Sequence, residues 1–164
     1  MKYDSPLDMW SIGCVIYELF TGQFLFPGRS NNEMIKLMMD VKGPFAKKWL
    51  KRGRFIDQHF ESDQNMSFAF FDDDPVTRTK IRRVIPTPNG AKCSIMQLLQ
   101  KSAGGRGGGS EGDRLLLSQL GDMLDKMLML EPEKRIDPDS ALKHPFVLKK
   151  GNPPPPLSSY KPPK

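Results

Sequence analysis

The segment DMWSIGCVIYELF, residues 8–20, constrains the fold more than any other part of the chain. Pro6 precedes it as a favourable first helical residue, Ser5 and Asp8 form an S-x-x-D capping box, and Gly22 follows as a stop signal. A helix that is apolar all round has to be buried all round, so the sequence predicts a substantial helical core. The apolar residues that point in every direction are Trp10, Ile12, Cys14, Val15, Ile16, Tyr17, Leu19 and Phe20.

Four further segments carry helical periodicity or helix caps, and no segment has a strand pattern strong enough to predict a sheet. The predicted fold class is therefore mainly α. The four helical segments are the run after the Ser30–Glu33 capping box that ends at Gly43, residues 94–101, residues 113–130, and a short helix capped by Asp137.

The composition excludes several classes of protein. The chain has 164 residues, enough for one domain of ordinary size, and a formal net charge of +6. Its two cysteines, Cys14 and Cys93, are far apart and do not indicate a disulfide framework. No signal-peptide pattern and no apolar run of about 18 residues is present. These features predict an intracellular protein with no membrane span.

No group of residues predicts catalysis, cofactor binding or metal binding by itself. The acidic run at residues 72–74 is compatible with a divalent cation, but it lacks the later Gly and Glu of a calcium loop, so we interpret it as a solvated turn. His59 and His144 lack zinc-ligand spacing with either cysteine. The glycine run at 104–109 lacks the Lys of a phosphate-binding loop and is interpreted as a flexible loop.

A basic run at residues 42–54 contains no acidic residue. It is compatible with an acidic protein partner or with RNA phosphates, although a solvated helix face around one buried Trp is the simpler interpretation. Direct binding of nucleic acid is therefore not favoured. The candidate docking residues in this run are Lys47, Lys48, Trp49, Lys51 and Arg52.

Two separated segments resemble eukaryotic protein kinases. YDSPLDMWSIGCVIYELFTGQFLFPG carries the D-x-W-S-x-G pattern at residues 8–13 and resembles the region after the activation segment. MLMLEPEKRIDPDSALKHPF, residues 127–146, is similar to the last conserved block, with Arg135 and a His-Pro-Phe ending. The resemblance implies the C-terminal portion of the large lobe of a protein-kinase-like fold.

The FPG sequence and the long insert resemble the group of cyclin-dependent, MAP and dual-specificity kinases. Within that group, NNEMIKLMMDVKGPFAKKWLKRGRFIDQHF is most similar to the pre-mRNA-splicing (Prp-four) kinases. The implied organisation is a partial kinase domain at 1–146, a family insert with a Gly-rich loop at 44–112, and a disordered Pro-rich tail at 147–164.

The resemblance also implies structural roles within the first helix, which would be the central pillar of the large lobe. Asp8 would accept hydrogen bonds from the backbone of the catalytic loop, or would only close its own capping box. Val15 and Leu19 match positions that support the apolar stack beneath the adenine of ATP. Trp10 and Gly13 match structural positions of the family pattern.

Arg135 matches the arginine that pairs with the glutamate ending the activation segment. The glycine-rich nucleotide loop, the strand Lys, the helix Glu, the H-R-D-x-x-x-x-N loop and D-F-G do not occur in these 164 residues. We therefore expect that the chain alone neither binds Mg-ATP nor transfers phosphate, and that as a fragment it folds only marginally.

The resemblance implies a fragment of a serine/threonine kinase, a transferase that uses ATP and magnesium in its complete domain. It also implies a nuclear location and spliceosomal or other protein substrates. The alternative is a non-catalytic docking module derived from a kinase large lobe, in which the basic run binds a partner.

Overall fold

The computed structural model describes residues 5–74, 76–77, 79–103 and 110–148. The predicted glycine-rich loop at 104–109 lies outside the described residues, and so does the predicted tail at 147–164 except for its first two residues. The described part is mostly helical, as predicted. Its helices are α1 (Ser5–Thr21), α2 (Asn31–Lys42), α3 (Lys47–Leu50), α4 (Ile95–Ser102), α5 (Glu111–Met127) and α6 (Pro138–Leu142), and its strands are β1 (Phe68–Asp73) and β2 (Lys80–Ile85).

The C-terminal end of α1 and both ends of α2 follow the predicted signals, whereas α1 already includes Ser5, the residue predicted to cap it. The hydroxyl of Ser30 accepts a hydrogen bond of 3.2 Å from the backbone N–H of Glu33. The Glu33 carboxylate accepts a hydrogen bond from the backbone N–H of Arg29 and not from that of Ser30. The reciprocal bond of the capping box is therefore shifted by one residue. Gly22 and Gly43 follow these helices with positive φ angles of 70° and 80°, which glycine adopts without steric cost.

The later helices begin at side-chain caps. Ser94 forms a complete capping box with Gln97 at the start of α4. Ser110 forms another capping box with Asp113 at the start of α5. This helix begins at Glu111 and ends at Met127, and both ends are slightly earlier than the predicted 113–130. Asp137 caps α6 as predicted by accepting from the backbone N–H of Ser140 at 2.9 Å.

The sequence patterns did not indicate the small two-stranded sheet that the structure contains. β1 and β2 pair as an antiparallel hairpin, in a register that joins Phe68 with Ile85 and Asp73 with Lys80. Phe68 is buried, whereas Arg82 and Arg83 of β2 are exposed on opposite faces. The sequence KIRRVI therefore lacks the alternation of a half-buried strand, and pairing with the aromatic β1 determines its conformation.

The main core lies where α1, α4 and α5 meet. Leu99 of α4, Leu124 of α5 and Leu128 directly after α5 are fully buried within it. A second cluster joins Met9 of α1 to α5 and α6, and a third joins α2 to the hairpin through Phe60 and Phe68. The hairpin is thus attached to the helical body through α2.

The prediction that α1 is buried on every side is contradicted for the described part of the chain. Met9, Gly13 and Tyr17 are buried, but Val15 is 52% exposed and Leu19 is 81% exposed. The reason is that α4, α5 and α6 pack on one side of the helix only. Its opposite side is an apolar surface that the described residues leave uncovered.

Candidate functional site

Arg135 connects the start of α1 to the end of α5. Its Nε and Nη2 donate hydrogen bonds of 3.0 and 2.8 Å to the carbonyl oxygen of Met129. Its Nη1 donates to the carbonyl oxygen of Pro6, and its guanidinium lies 5.1 Å from the centre of the Trp10 ring. A planar guanidinium can satisfy carbonyls and stack on an aromatic ring simultaneously, which a Lys amine cannot.

Trp10 and Gly13 fix the packing of α1. The Trp10 ring is stacked on Phe26 at a centroid distance of 5.6 Å. A Cβ atom on Gly13 would lie 3.1 Å from Leu128 Cδ2 and 3.2 Å from Met127 Cβ. Residue 13 therefore lies where α1 and the residues that end α5 approach closely, so that a side chain here would require its neighbours to shift.

The other family positions of α1 lie on or near its exposed side. Asp8 is exposed, and so are Val15 and Leu19. α1 begins at Ser5, the residue predicted to cap it, and the preceding residue lies outside the described part. The roles that the kinase resemblance implies for Asp8, Val15 and Leu19 stay predictions.

The His-Pro-Phe ending is attached to α5 through a buried histidine. His144 Nε2 lies 2.9 Å from Asp122 Oδ2, and the same oxygen lies 2.7 Å from Lys126 Nζ. Hydrogen bonds from Lys126 and His144 hold the pKa of Asp122 below its ordinary value.

His59 lies in a different part of the fold from His144. Its Nδ1 is 3.1 Å from the side-chain nitrogen of Asn32, and burial lowers the pKa of its imidazole. Within the described ranges, no group of three or more acidic, His or Cys side chains is placed to hold a metal.

The candidate docking residues lie on the short helix α3 and directly after it. Lys47 Nζ donates to the carbonyl oxygen of Gln64 at 2.7 Å. The guanidinium of Arg52 lies 5.5 Å from the centre of the half-buried Trp49 ring and 3.6 Å from a Glu133 carboxylate oxygen.

The two remaining docking candidates keep their charges available. Lys48 and Lys51 are exposed, and neither forms an ion pair with a residue that the structure describes. Among the four cationic candidates, only Arg52 forms an ion pair with a described acid, so the charges of Lys47, Lys48 and Lys51 have no acidic partner among the residues that the structure describes.

A cavity of about 310 Å³ adjoins α3, and the sequence did not predict it. Met39 and Phe60 are its buried members, and Lys47 and Glu131 belong to its polar lining. The only local feature of the sequence near this cavity is the aromatic-rich segment around residues 55–71. This segment does not predict a cavity, because the walls come from segments that are far apart in the sequence. The lining residues are Met39, Pro44, Phe45, Ala46, Lys47, Leu50, Phe60, Asn65, Met66, Thr87 and Glu131.

No helix within the described ranges has both the length and the apolar composition needed to cross a membrane.

Comparison with known proteins supports the kinase resemblance. The protein kinase domain profile matches residues 1–147. The chain is 42% identical over 148 residues to the serine/threonine-protein kinase prp4 of Schizosaccharomyces pombe, covering 90% of this chain and 30% of that protein. It is 40% identical over 148 residues to the serine/threonine-protein kinase prpf4B of Dictyostelium discoideum, covering 89% and 17%. It is 32% identical over 150 residues to the serine/threonine-protein kinase AFC2 of Arabidopsis thaliana, covering 92% and 31%.

The chain thus spans less than a third of the length of each of these relatives. The match nevertheless covers both segments from which the resemblance was inferred, including the residues that Arg135 joins. The similarity to the splicing kinases is confirmed by the two relatives at 40–42% identity. The chain belongs to the protein kinase family.

Proposed function

We propose that this chain forms part of the large lobe of a serine/threonine kinase that acts on proteins of pre-mRNA splicing in the nucleus. The observation that carries the proposal is the junction of Arg135 with Pro6 and Trp10. It unites the two family segments, which are more than a hundred residues apart, in one anchor. The identity of 42% to the prp4 kinase supports the splicing type.

In the complete domain, ATP and magnesium supply the phosphoryl group and the charge neutralisation for transfer to a serine or threonine hydroxyl. The contribution of this chain is positional. The exposed Val15 and Leu19 would support the apolar layer below the adenine, and Asp8 would orient the catalytic loop. The motifs that hold ATP do not occur in these 164 residues. We therefore propose that this chain by itself does not transfer phosphate.

A chimera tests the kinase proposal. The segment of the prp4 kinase that matches this chain is replaced by it, and phosphorylation of a serine-containing protein substrate is measured. We expect the chimera to retain activity, and the same chimera with Arg135→Ala to lose most of it. The separate 164-residue chain should show no transfer. A chimera that has the circular dichroism spectrum of the kinase but is inactive would contradict the proposal.

Protein docking is a second candidate function, supported by the exposed charges of Lys48 within α3 and Lys51 directly after it. This surface is compatible with a role in recruiting a substrate or scaffold protein, with or without catalysis in the same polypeptide. Capture of an acidic partner that persists at moderate salt would support it. Capture lost as soon as salt rises would indicate nonspecific charge attraction instead.

A further inference from the structure

We propose that the cavity beside α3 is an anchor site for an acidic peptide segment, and that it binds one aromatic or large aliphatic side chain of that segment. The inference rests on the proposed docking function and specifies its ligand. Two observations carry it: an apolar cavity with a defined polar rim, and basic residues on the helix that forms one of its walls.

The cavity has the chemistry of a pocket for an apolar side chain. Met39 is 4% exposed and Phe60 is 7% exposed, while Phe45 and Leu50 are half-buried walls. Its volume of about 310 Å³ is at the lower end of the range for ligand pockets. A concave, mainly apolar surface of this size gains binding free energy by excluding water from an inserted ring or aliphatic chain.

One wall is held in an unusual backbone conformation. Met66 has a φ angle of +52°, in the left-handed region that residues other than glycine adopt infrequently. The turn is fixed by Asp63, which accepts 2.9 and 2.6 Å hydrogen bonds from the backbone and hydroxyl of Ser67. Conformations of this kind are concentrated at ligand sites, because the surrounding structure has to impose them.

The charges near the cavity select an acidic peptide. Lys47 lines the cavity, and Lys51 lies one helical turn further along with its charge exposed. Glu131 also lines the cavity but is paired with Lys134 at 2.9 Å. Acidic residues that flank an anchor side chain would therefore meet the lysines of α3.

A peptide fits this arrangement better than RNA does. Trp49, the large aromatic residue of the basic segment, is half-buried and already stacked against Arg52, so it is not a free platform for a base. The cavity is lined mainly by apolar side chains, which can accept an uncharged residue of a peptide but cannot satisfy a continuous phosphate backbone.

The test uses a fluorescein-labelled peptide of Asp and Glu with one central Phe, and binding to the 164-residue chain is measured by fluorescence anisotropy. We expect saturable binding that weakens by about tenfold or more when the central Phe is replaced by Ser. Met66→Gly should weaken the Phe peptide similarly, because it removes a wall while suiting the left-handed backbone. It should leave the affinity for the Ser peptide unchanged.

Charge variants separate the site from general attraction. The double variant Lys48→Glu, Lys51→Glu should weaken both peptides, whereas Lys101→Glu, Lys143→Glu changes the net charge equally at exposed positions elsewhere and should have little effect. Circular dichroism spectra verify that each variant keeps the fold of the parent chain.

The outcomes distinguish the two proposals. Binding that requires Lys48 and Lys51 but ignores the Phe and Met66 would overturn the anchor pocket and leave the docking function standing. Equal weakening by the two charge-reversal variants, or no saturable binding at all, would overturn both. Tighter binding of a uridine oligonucleotide that competes with the peptide would assign the surface to RNA and overturn the peptide proposal.

Discussion

The side-chain amide of Asn32 donates a hydrogen bond of 2.8 Å to the carbonyl oxygen of Ala69. The oxygen of the same amide accepts from the backbone N–H of Phe71 at 3.0 Å. Asn32 is only 6% exposed, so one side chain of α2 substitutes for a neighbouring strand along the outer edge of β1. This edge is therefore occupied, and the hairpin is held to the helical body by directional bonds as well as by apolar packing.

Replacing Asn32 by Ala should destabilise the chain. The change leaves the buried carbonyl of Ala69 and the N–H of Phe71 without this partner, at a cost of about 1–3 kcal/mol in the free energy of unfolding. Equilibrium denaturation measures the loss, and amide hydrogen exchange at Phe71 should accelerate. The control is Asn31→Ala at the exposed neighbouring position. Equal effects of the two substitutions would show that the amide bridge is unimportant.

Local sequence signals predicted the helices because each has an end that is encoded nearby. Ser30, Ser94 and Asp137 cap helices within three residues of themselves, so their bonds do not depend on the rest of the fold. The Asn32 bridge depends on a strand more than thirty residues away, and no short pattern identifies it. The hairpin was missed for the same reason: β2 takes its conformation from its pairing with β1.

Gly13 should not tolerate a larger residue. A Val side chain at this position would overlap Leu128 and Met127, which belong to the well-packed junction of α1 with α5. Overpacking of this kind costs about 1–3 kcal/mol, which urea denaturation would detect as a lower midpoint. Gly112→Val is the matched control, since a Cβ there meets nothing nearer than the Ser110 hydroxyl at 3.5 Å. An unchanged midpoint for Gly13→Val would show that the two helices separate easily.

Replacing Arg135 by Lys should lower stability although the charge is kept. A single amine cannot reproduce the bonds to both Met129 and Pro6 together with the stacking on Trp10, and we expect a loss of about 1–3 kcal/mol. Arg52→Lys is the control, because that arginine also lies over a Trp ring but is largely exposed. Its effect should stay within about 0.5 kcal/mol. Comparable losses would mean that the anchor contributes no more than a surface contact.

For the candidate site, the sequence supplied residues but not their arrangement. The basic run identified the docking candidates between Lys47 and Arg52, because a cluster of like charges can be recognised directly in the sequence. The cavity beside them was not visible, since Met39, Phe60 and Glu131 come from separate parts of the chain. The contact of Arg135 with α1 was not predicted: the kinase resemblance implied a glutamate of the activation segment as its partner, and a spacing of 129 residues carries no local signal.

Acid stability should depend on Asp40. Burial alone would raise the pKa of this carboxyl, but hydrogen bonds from Lys92 and Lys36, together with their charges, lower it overall. Because the folded-state pKa is below the unfolded value of about 3.9, the carboxylate contributes stability above that pH. The contribution is lost as the pH falls through the folded-state pKa. Asp40→Asn should therefore destabilise the chain near neutral pH and flatten the fall in stability below about pH 4.

The two lysines provide the control for this prediction, since they are the groups that stabilise the ionised form of Asp40. Lys92 Nζ lies 2.7 Å and Lys36 Nζ lies 3.0 Å from its carboxylate oxygens. In a Lys36→Gln, Lys92→Gln background, adding Asp40→Asn should change the pH dependence of unfolding far less than it does in the parent chain. If Asp40→Asn flattens the acid limb equally in both backgrounds, the lowered pKa has a cause other than these ion pairs.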